Sequence, residues 1–256
     1  RGASYVYRVY HEDDFYQETR DPYSIALTLD NQRSLIAAPQ DLVPENFKVE
    51  HGANAVWRVN NPCSVVIVEL HLRDFTKSAS SGLEAGLRGT FLGACQPGTR
   101  NACGDVTAFD YIRQMGYSYV QLQPVFDHHK TYDADGNLNY NWGYDPENYN
   151  VPDRQFAADQ KDPLAPILEM KRMIQAYHEA GIGVIMDVVY NHTAEGGNWG
   201  GDVNTVGFIS LGGFATAEYY QMTTDKILVD GATGTSNQLN YSSEMARTLV
   251  LDSLRY

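Results

Sequence analysis

The sequence predicts an α/β protein: a (β/α)8 TIM barrel, with only its first part present in this chain. Apolar runs typical of strands alternate with segments of helical periodicity, and long polar loops follow the strands. Repeated βα units imply a parallel sheet with right-handed crossovers. Long loops at the carboxyl ends of strands favour a barrel over an open sheet. An open dinucleotide-binding sheet competes, but no Gly-x-Gly-x-x-Gly follows a strand here.

The first 62 residues are predicted to precede the barrel. Residues 4–10 alternate and are rich in aromatic and β-branched side chains, which is typical of a strand. One strand cannot form a domain, so residues 1–20 are interpreted as the end of an upstream β domain. Residues 21–62 contain many turn dipeptides and are predicted to be a connecting segment with short strands and no deep core.

Three βα units are predicted over residues 63–256. Strands are expected at 65–70, 119–125 and 181–189, the last with an unusual acidic residue, Asp187, inside its apolar run. Residues 71–75 should continue the first strand into a loop. A Gly- and Ser-rich stretch to Gly104, an insertion at about 126–162 and a loop of about fifty residues before Tyr241 separate the units.

Three helices are predicted from apolar spacing and capping residues. The first should end at Gly116, the second should have Asp162 as N-cap and Pro163 at its first position, and the third should start at Ser242 or Ser243. Glu169, with Lys171, Arg172 and Gln175, is expected on the solvent face of the second helix. The inward faces are Val106, Phe109, Ile112 and Met115; Ile167, Met170, Ile174 and Tyr177; and Ala246, Leu249, Val250 and Leu254.

Three strands fall short of the eight strands and about 250 residues of a full barrel. Open strand edges and uncovered apolar faces would destabilise such a piece. We therefore expect the remainder of the catalytic domain in another chain or in the rest of this one. The start at Arg1 without Met and without a signal-peptide pattern also indicates a processed or excised chain.

Composition restricts the partners. A formal net charge of −13 argues against nucleic acid and anionic membrane surfaces. No apolar run approaches the ~20 residues of a membrane span. Cys95 and Cys103 flank a loop that a disulfide could close, and the bonded and unbonded states both stay open. A bond would favour a secreted or extracytoplasmic location, with a cytoplasmic one as the alternative.

The run from Asp187 to His192 is the first candidate site. Asn191 and His192 follow where the third strand should end, which is where α/β folds place their chemistry. A buried Asp needs a partner. The alternative interpretation is a core strand whose Asp187 pairs with a neighbouring polar group. A phosphate-handling enzyme is disfavoured because no Gly-rich phosphate loop is present.

Two motifs resemble a known family. Residues 187–192, Asp-Val-Val-Tyr-Asn-His, resemble the first signature region of the α-amylase superfamily. Residues 140–146, Tyr-Asn-Trp-Gly-Tyr-Asp-Pro, resemble the heptapeptide of type I pullulanases, while residues 192–197 lean toward isoamylases. The resemblance implies a starch-debranching glycoside hydrolase that cleaves α-1,6 links in pullulan, amylopectin or limit dextrins. It also implies that residues before about 20 end a β-sandwich carbohydrate-binding module.

The resemblance also assigns site residues. His192 and Tyr144 match residues that hydrogen-bond and stack on the glucose unit at the cleavage site, Asp145 is the buried partner of Tyr144, and Asp187 orients the site. The candidate substrate-binding set is Tyr144, Asp145, Asp187, His192, Trp142 and Asn191. The nucleophile and the acid/base would lie on later strands, outside this chain. A non-catalytic carbohydrate-binding or assembly piece that needs a partner chain is the alternative.

No cofactor is required by the resemblance, and calcium is an option. Asn191 matches a position that binds calcium in many amylases, and Asp127 and Asp153 lie near positions where isoamylases hold calcium. Lys130 stands where a further neutral ligand is expected, so the presence of calcium at this site is left open.

Overall fold

The structure, a computed structural model, describes residues 2–10, 16–48, 61–196, 207–224, 228–229 and 233–256. Parts of the predicted connecting segment and of the loop before Tyr241 lie outside the described residues. The chain divides into two compact units. We call them the sheet unit, Ala37–Val125 with Pro152–Val188, and the hairpin unit, Arg1–Ile36 with Phe126–Val151 and Val189–Tyr256.

Two short antiparallel pairs belong to the hairpin unit. β1 (Ser4–Tyr5) pairs with β4 (Ser34–Leu35), and β2 (Tyr7–Tyr10) pairs with β3 (Tyr16–Thr19). The strand predicted over residues 4–10 is therefore confirmed as two consecutive short strands, each paired within the unit.

A three-stranded parallel sheet forms the centre of the sheet unit and confirms the predicted parallel pairing. Its strands are β5 (Ile67–Leu70), β6 (Tyr119–Leu122) and β7 (Gly183–Met186), in that order. Continuous apolar runs such as those of β5 and β7 predict strands buried on both faces, and this prediction is wrong for the described residues. Ile67 is 47% exposed, and Val184, Ile185 and Met186 are only half-buried.

The described part of the sheet unit contains four α-helices: α1 (Leu72–Lys77), α2 (Phe91–Ala94), α3 (Ala108–Met115) and α4 (Ala165–Glu179). The prediction of a loop at 71–75 is wrong, because the His71 ring accepts the Asp74 N–H and caps α1. The α3 helix confirms its prediction and ends at Gly116, whose φ of 76° is left-handed. The helices pack with the strands around Leu72, Phe91, Ile112, Leu122, Met173 and Tyr177.

The α4 helix differs from its prediction in two details. It begins at Ala165 with Leu164 as N-cap, while Asp162 accepts the Leu164 N–H at 2.9 Å and so caps the turn before the helix. Glu169 was expected in solvent but is 3% exposed. Its carboxylate accepts the backbone N–H groups of Ala158 and Asp159 at 2.7 and 3.0 Å, which explains why it is buried.

Replacing Glu169 by Ala is expected to lower the free energy of unfolding by about 2–4 kcal/mol, because the N–H groups of Ala158 and Asp159 lose their acceptor. Urea unfolding of the intact protein measures it. Glu179→Ala, at the exposed end of the same helix, is the matched control and should cost under about 0.5 kcal/mol. Equal losses in both variants would contradict the anchoring role of Glu169.

The hairpin unit also contains α5 (Leu211–Tyr219) and α6 (Glu244–Arg255). The loop predicted before Tyr241 therefore includes a helix. The α6 helix has Ser243 as N-cap, as predicted, although Leu254 is 61% exposed rather than inward because Ser253 occupies the buried face. The core of the unit contains Tyr149, Leu211, Tyr219, Tyr220, Leu239, Ala246, Leu249 and Val250.

The cysteines are free thiols, so the disulfide considered between Cys95 and Cys103 is not present. Cys95 is half-buried, its Sγ donates to the Leu92 carbonyl at 3.4 Å, and burial raises the pKa of its thiol to about 11. Cys103 is exposed. The cysteines therefore give no support to an extracytoplasmic location.

Candidate functional site

Asn141 shapes the Tyr140–Pro146 loop of the hairpin unit. Its side-chain amide donates to the His129 carbonyl at 2.9 Å and to both carboxylate oxygens of Asp145 at 3.0 and 3.1 Å. Its side-chain oxygen accepts the Gly143 N–H at 2.9 Å. Gly143 has a φ of 91°, which other residues rarely adopt. Asn141 and Gly143 thus form a tight turn directly before Tyr144.

The predicted residues of this loop differ in exposure. Trp142 is 60% exposed, whereas Tyr144 and Asp145 are half-buried. Burial raises the pKa of Asp145, against the lowering effects of the Asn141 hydrogen bonds and of His128 and His129. The loop therefore combines an exposed and a half-buried aromatic residue with a half-buried acid whose carboxylate is held by Asn141.

His192 lies beside this loop. The residue is 5% exposed, its ring hydrogen-bonds to the Tyr144 backbone, and the Asn191 amide nitrogen is 2.9 Å from its Nδ1. Burial lowers the pKa of His192, so the ring is neutral at pH 7. With Asn191 as donor, Nδ1 accepts and Nε2 carries the proton.

Backbone contacts join the two sequence motifs. The Ala194 N–H donates to the Pro146 carbonyl at 2.9 Å, and the Tyr149 hydroxyl donates to the His192 carbonyl at 3.2 Å. Tyr149 is buried and belongs to the core of the hairpin unit. Residues separated by about forty positions in sequence are thus brought together.

Glu195 anchors the segment that follows His192, a role that no pattern in the sequence predicts. Its fully buried carboxylate accepts four backbone N–H groups at the start of α5, at distances between 2.8 and 3.3 Å, from Ile209, Ser210, Leu211 and Gly212. Burial raises the pKa of Glu195 to about 7, against the lowering effect of these N–H groups. The carboxylate therefore fixes α5 to the His192 segment.

Asn237 holds the same segment from a distant part of the chain. Its side-chain nitrogen donates to the carbonyls of Thr193 and Glu195, both at 2.7 Å, and its oxygen accepts the Thr193 N–H at 3.0 Å. It is completely buried. No local sequence pattern identifies this role, because the partners lie more than forty residues apart.

Asp187 belongs to the sheet unit, directly after β7. It is half-buried, and its backbone N–H donates to the Leu122 carbonyl at 3.0 Å. Glu69, at the end of β5, is exposed and accepts the side-chain amides of Gln121 and Gln123. Parallel strand ends in this unit thus carry polar groups on neighbouring strands.

Calcium fits poorly at Asp127. Each of its carboxylate oxygens accepts side-chain N–H groups, from Lys130 and Asn31 at one and from Asn148 at the other. Asp153 uses its side chain to accept the Gln155 N–H. Within the described part of the chain, no group of three or more His, Cys, Asp or Glu residues could hold a metal ion.

The hairpin-unit residues are suited to a sugar. A pyranose ring has an apolar face on which an aromatic ring stacks and a rim of hydroxyl groups that amides, carboxylates and imidazoles can bind. Tyr144, Trp142, His192 and Asn191 supply these types within one unit. Among the described residues, no helix is long and apolar enough to cross a membrane.

Comparison with known proteins identifies the family to which the chain is similar. The family model "Alpha amylase, catalytic domain" matches residues 73–246. The isoamylase of Pseudomonas amyloderamosa is 38% identical over 197 residues, which cover 75% of this chain and 24% of that protein.

Solved pullulanases share the fold of nearly the whole chain. The pullulanase of Bacillus acidopullulyticus has a TM-score of 0.82 at 33% identity over 99% of this chain and 29% of its own. A variant of the Paenibacillus barengoltzii pullulanase, complexed with maltotetraose, has a TM-score of 0.80 at 32% identity over 98% of this chain and 37% of its own.

The chain thus spans between about a quarter and two fifths of these relatives. The family model nevertheless matches more than half of the chain, and it includes the two motifs that carry the candidate site. The chain belongs to the α-amylase family of glycoside hydrolases, whose catalytic domain is a (β/α)8 barrel.

Proposed function

We propose that the protein containing this chain is a debranching enzyme that hydrolyses α-1,6-glucosidic links in pullulan, amylopectin or limit dextrins. The observation that carries the proposal is the joining of the two motifs, in which the neutral His192 ring hydrogen-bonds to the Tyr144 backbone. The relatives named isoamylase and pullulanase support the choice of α-1,6 links.

The residues would act on the glucose unit at the cleavage site. The Tyr144 ring would stack on the sugar face, and the His192 ring beside it would contact the hydroxyl rim of the same sugar. Asp145, held by Asn141, supports the Tyr144 loop. Trp142, Asn191 and Asp187 complete the proposed binding set.

The bond-breaking groups would lie outside this chain. A retaining glycosidase needs two carboxyl groups about 5–5.5 Å apart, one as nucleophile and one as acid/base. Asp187, Glu69 and Asp74 are not assigned these roles, since the resemblance gives Asp187 a supporting part and places the other two on or just after the first strand. The chain would then supply sugar binding, and the remainder of the catalytic domain would supply the covalent chemistry.

The proposed domain organisation follows from this function. Residues 1–20 would end an N-terminal β-sandwich, residues 21–62 would connect it, and residues 63–256 would contain the first three βα units of the barrel. The parallel β5–β6–β7 sheet supports the last assignment.

Incubation of the intact protein with pullulan tests the proposal. We expect release of maltotriose, with the α-anomer appearing first in proton NMR spectra, and no comparable cleavage of unbranched amylose. Cleavage of amylose alone, or an initial β-anomer, would contradict it. If the isolated 256-residue chain folds and binds maltotetraose tightly while the intact protein cleaves nothing, a non-catalytic carbohydrate-binding role is the better description.

A further inference from the structure

Asp127 is a buried residue of the hairpin unit whose carboxylate accepts hydrogen bonds from nitrogen groups. Its Oδ1 accepts the Lys130 ammonium at 2.7 Å and the Asn31 amide at 3.0 Å, while its Oδ2 accepts the Asn148 amide at 2.5 Å. The Arg20 guanidinium is 3.9 Å from Oδ2. The Asp127 side chain is only 2% exposed, so these groups replace its water shell.

The Lys130 ammonium occupies a position with the ligand types of a hard cation. Besides Asp127 it donates to the His128 carbonyl at 3.0 Å, and its side chain is 15% exposed, in the wall of a cleft of about 560 Å³. Carboxylate and backbone carbonyl oxygens are ligands that calcium also takes. One ammonium therefore satisfies two oxygens that could otherwise face a metal ion.

Side-chain cations near Asp127 already compensate the negative charge of this region. Arg20 also donates to Glu147 at 3.1 Å, and the His129 ring lies 3.2 Å from the same carboxylate. The Arg20 guanidinium and the Lys130 ammonium thus face the two carboxylates of Asp127 and Glu147. A divalent ion entering here would meet the Lys130 charge and the N–H groups of Asn31 and Asn148, which repel it.

We propose that Lys130 is the built-in counter-ion of Asp127, so that this part of the fold takes up no calcium at the place where the resemblance to isoamylases implies it. The ammonium is covalently attached and cannot be removed by a chelator. This role of Lys130 is independent of the reaction proposed above.

Thermal unfolding of the intact protein in EDTA tests the role of the ammonium. Lys130→Met should lower Tm by more than about 5 °C, since it leaves a buried carboxylate without its closest cation. Lys161→Met, at an exposed position, is the control and should leave Tm within about 1 °C. Equal Tm values for the two variants would overturn the proposal. If Lys130→Met does not fold, the Tm of Lys130→Arg should be well above the Tm of Lys130→Gln. Equal Tm values for these two variants would also overturn the proposal.

A second measurement addresses the metal directly. The Tm change produced by millimolar calcium chloride, after removal of metal with EDTA, should be the same in the wild type and in Asp127→Asn. Calcium bound elsewhere in the intact protein affects both alike. A calcium-induced rise of Tm that the wild type shows and Asp127→Asn has lost would place calcium at Asp127 and refute the proposal.

Discussion

Replacing His192 by Ala in the intact protein is expected to reduce turnover of pullulan by about 10²-fold or more, the scale of a lost oriented contact at a reacting centre. The imidazole is buried and neutral, and Asn191 and the Tyr144 backbone hold both of its nitrogens. The orientation of the imidazole ring is thus fixed before substrate arrives. Steady-state kinetics with pullulan measure the loss.

Tyr144→Ala should cause a loss of similar size, because the ring supplies the stacking face for the same sugar. His178→Ala on α4 and Tyr111→Ala on α3 are controls of the same residue types in the sheet unit. Circular dichroism spectra should match the wild type in all four variants. Near-normal turnover by both His192→Ala and Tyr144→Ala would remove the basis for the proposed site.

Glu195→Ala is expected to lower the free energy of unfolding by about 3 kcal/mol or more, since four buried backbone N–H groups lose their acceptor. The same substitution should reduce pullulan turnover, because the segment after His192 loses its attachment to α5. Glu84→Ala, at an exposed position, is the control and should change stability by under about 0.5 kcal/mol. A Glu195→Ala variant as stable as this control would show that the N–H groups find other acceptors.

The pH dependence gives an independent check on Glu195. Its folded-state pKa of about 7 lies above the ordinary value, so the folded protein binds this proton more tightly than the unfolded chain does. The resulting stability is fully present below pH ~4.3 and is lost as the pH rises through about 7. Glu195→Gln does not titrate, so the difference in unfolding free energy between wild type and this variant should narrow from about pH 5 to about pH 8.

Hydrophobic spacing predicts the parallel strands and three of the helices. The three parallel strands and the helices α3, α4 and α6 were expected because each carries a long enough apolar run or a repeated inward face. Short elements were missed. The six residues of α1 and the four of α2 are too few to show a helical period, and α1 depends on the His71 ring as its cap.

Roles that depend on distant partners could not be predicted. Glu169 has the sequence context of a solvent-facing residue, and only the fold brings the N–H groups of Ala158 and Asp159 to it. For the site, the structure places the His192 ring against the Tyr144 backbone within one unit, and the roles of both residues toward a sugar stay a prediction. The anchoring roles of Glu195 and Asn237 needed the three-dimensional arrangement.

The three hydrogen bonds of Asn237 also bear on the order of events during synthesis. They hold Thr193 and Glu195 to a residue that leaves the ribosome more than forty residues later. Closing such a loop costs chain entropy before any contact compensates for it, which delays non-local structure. The wall of the site that contains His192 should therefore become ordered only after Asn237 has been translated, and a nascent chain stalled before that point should lack it.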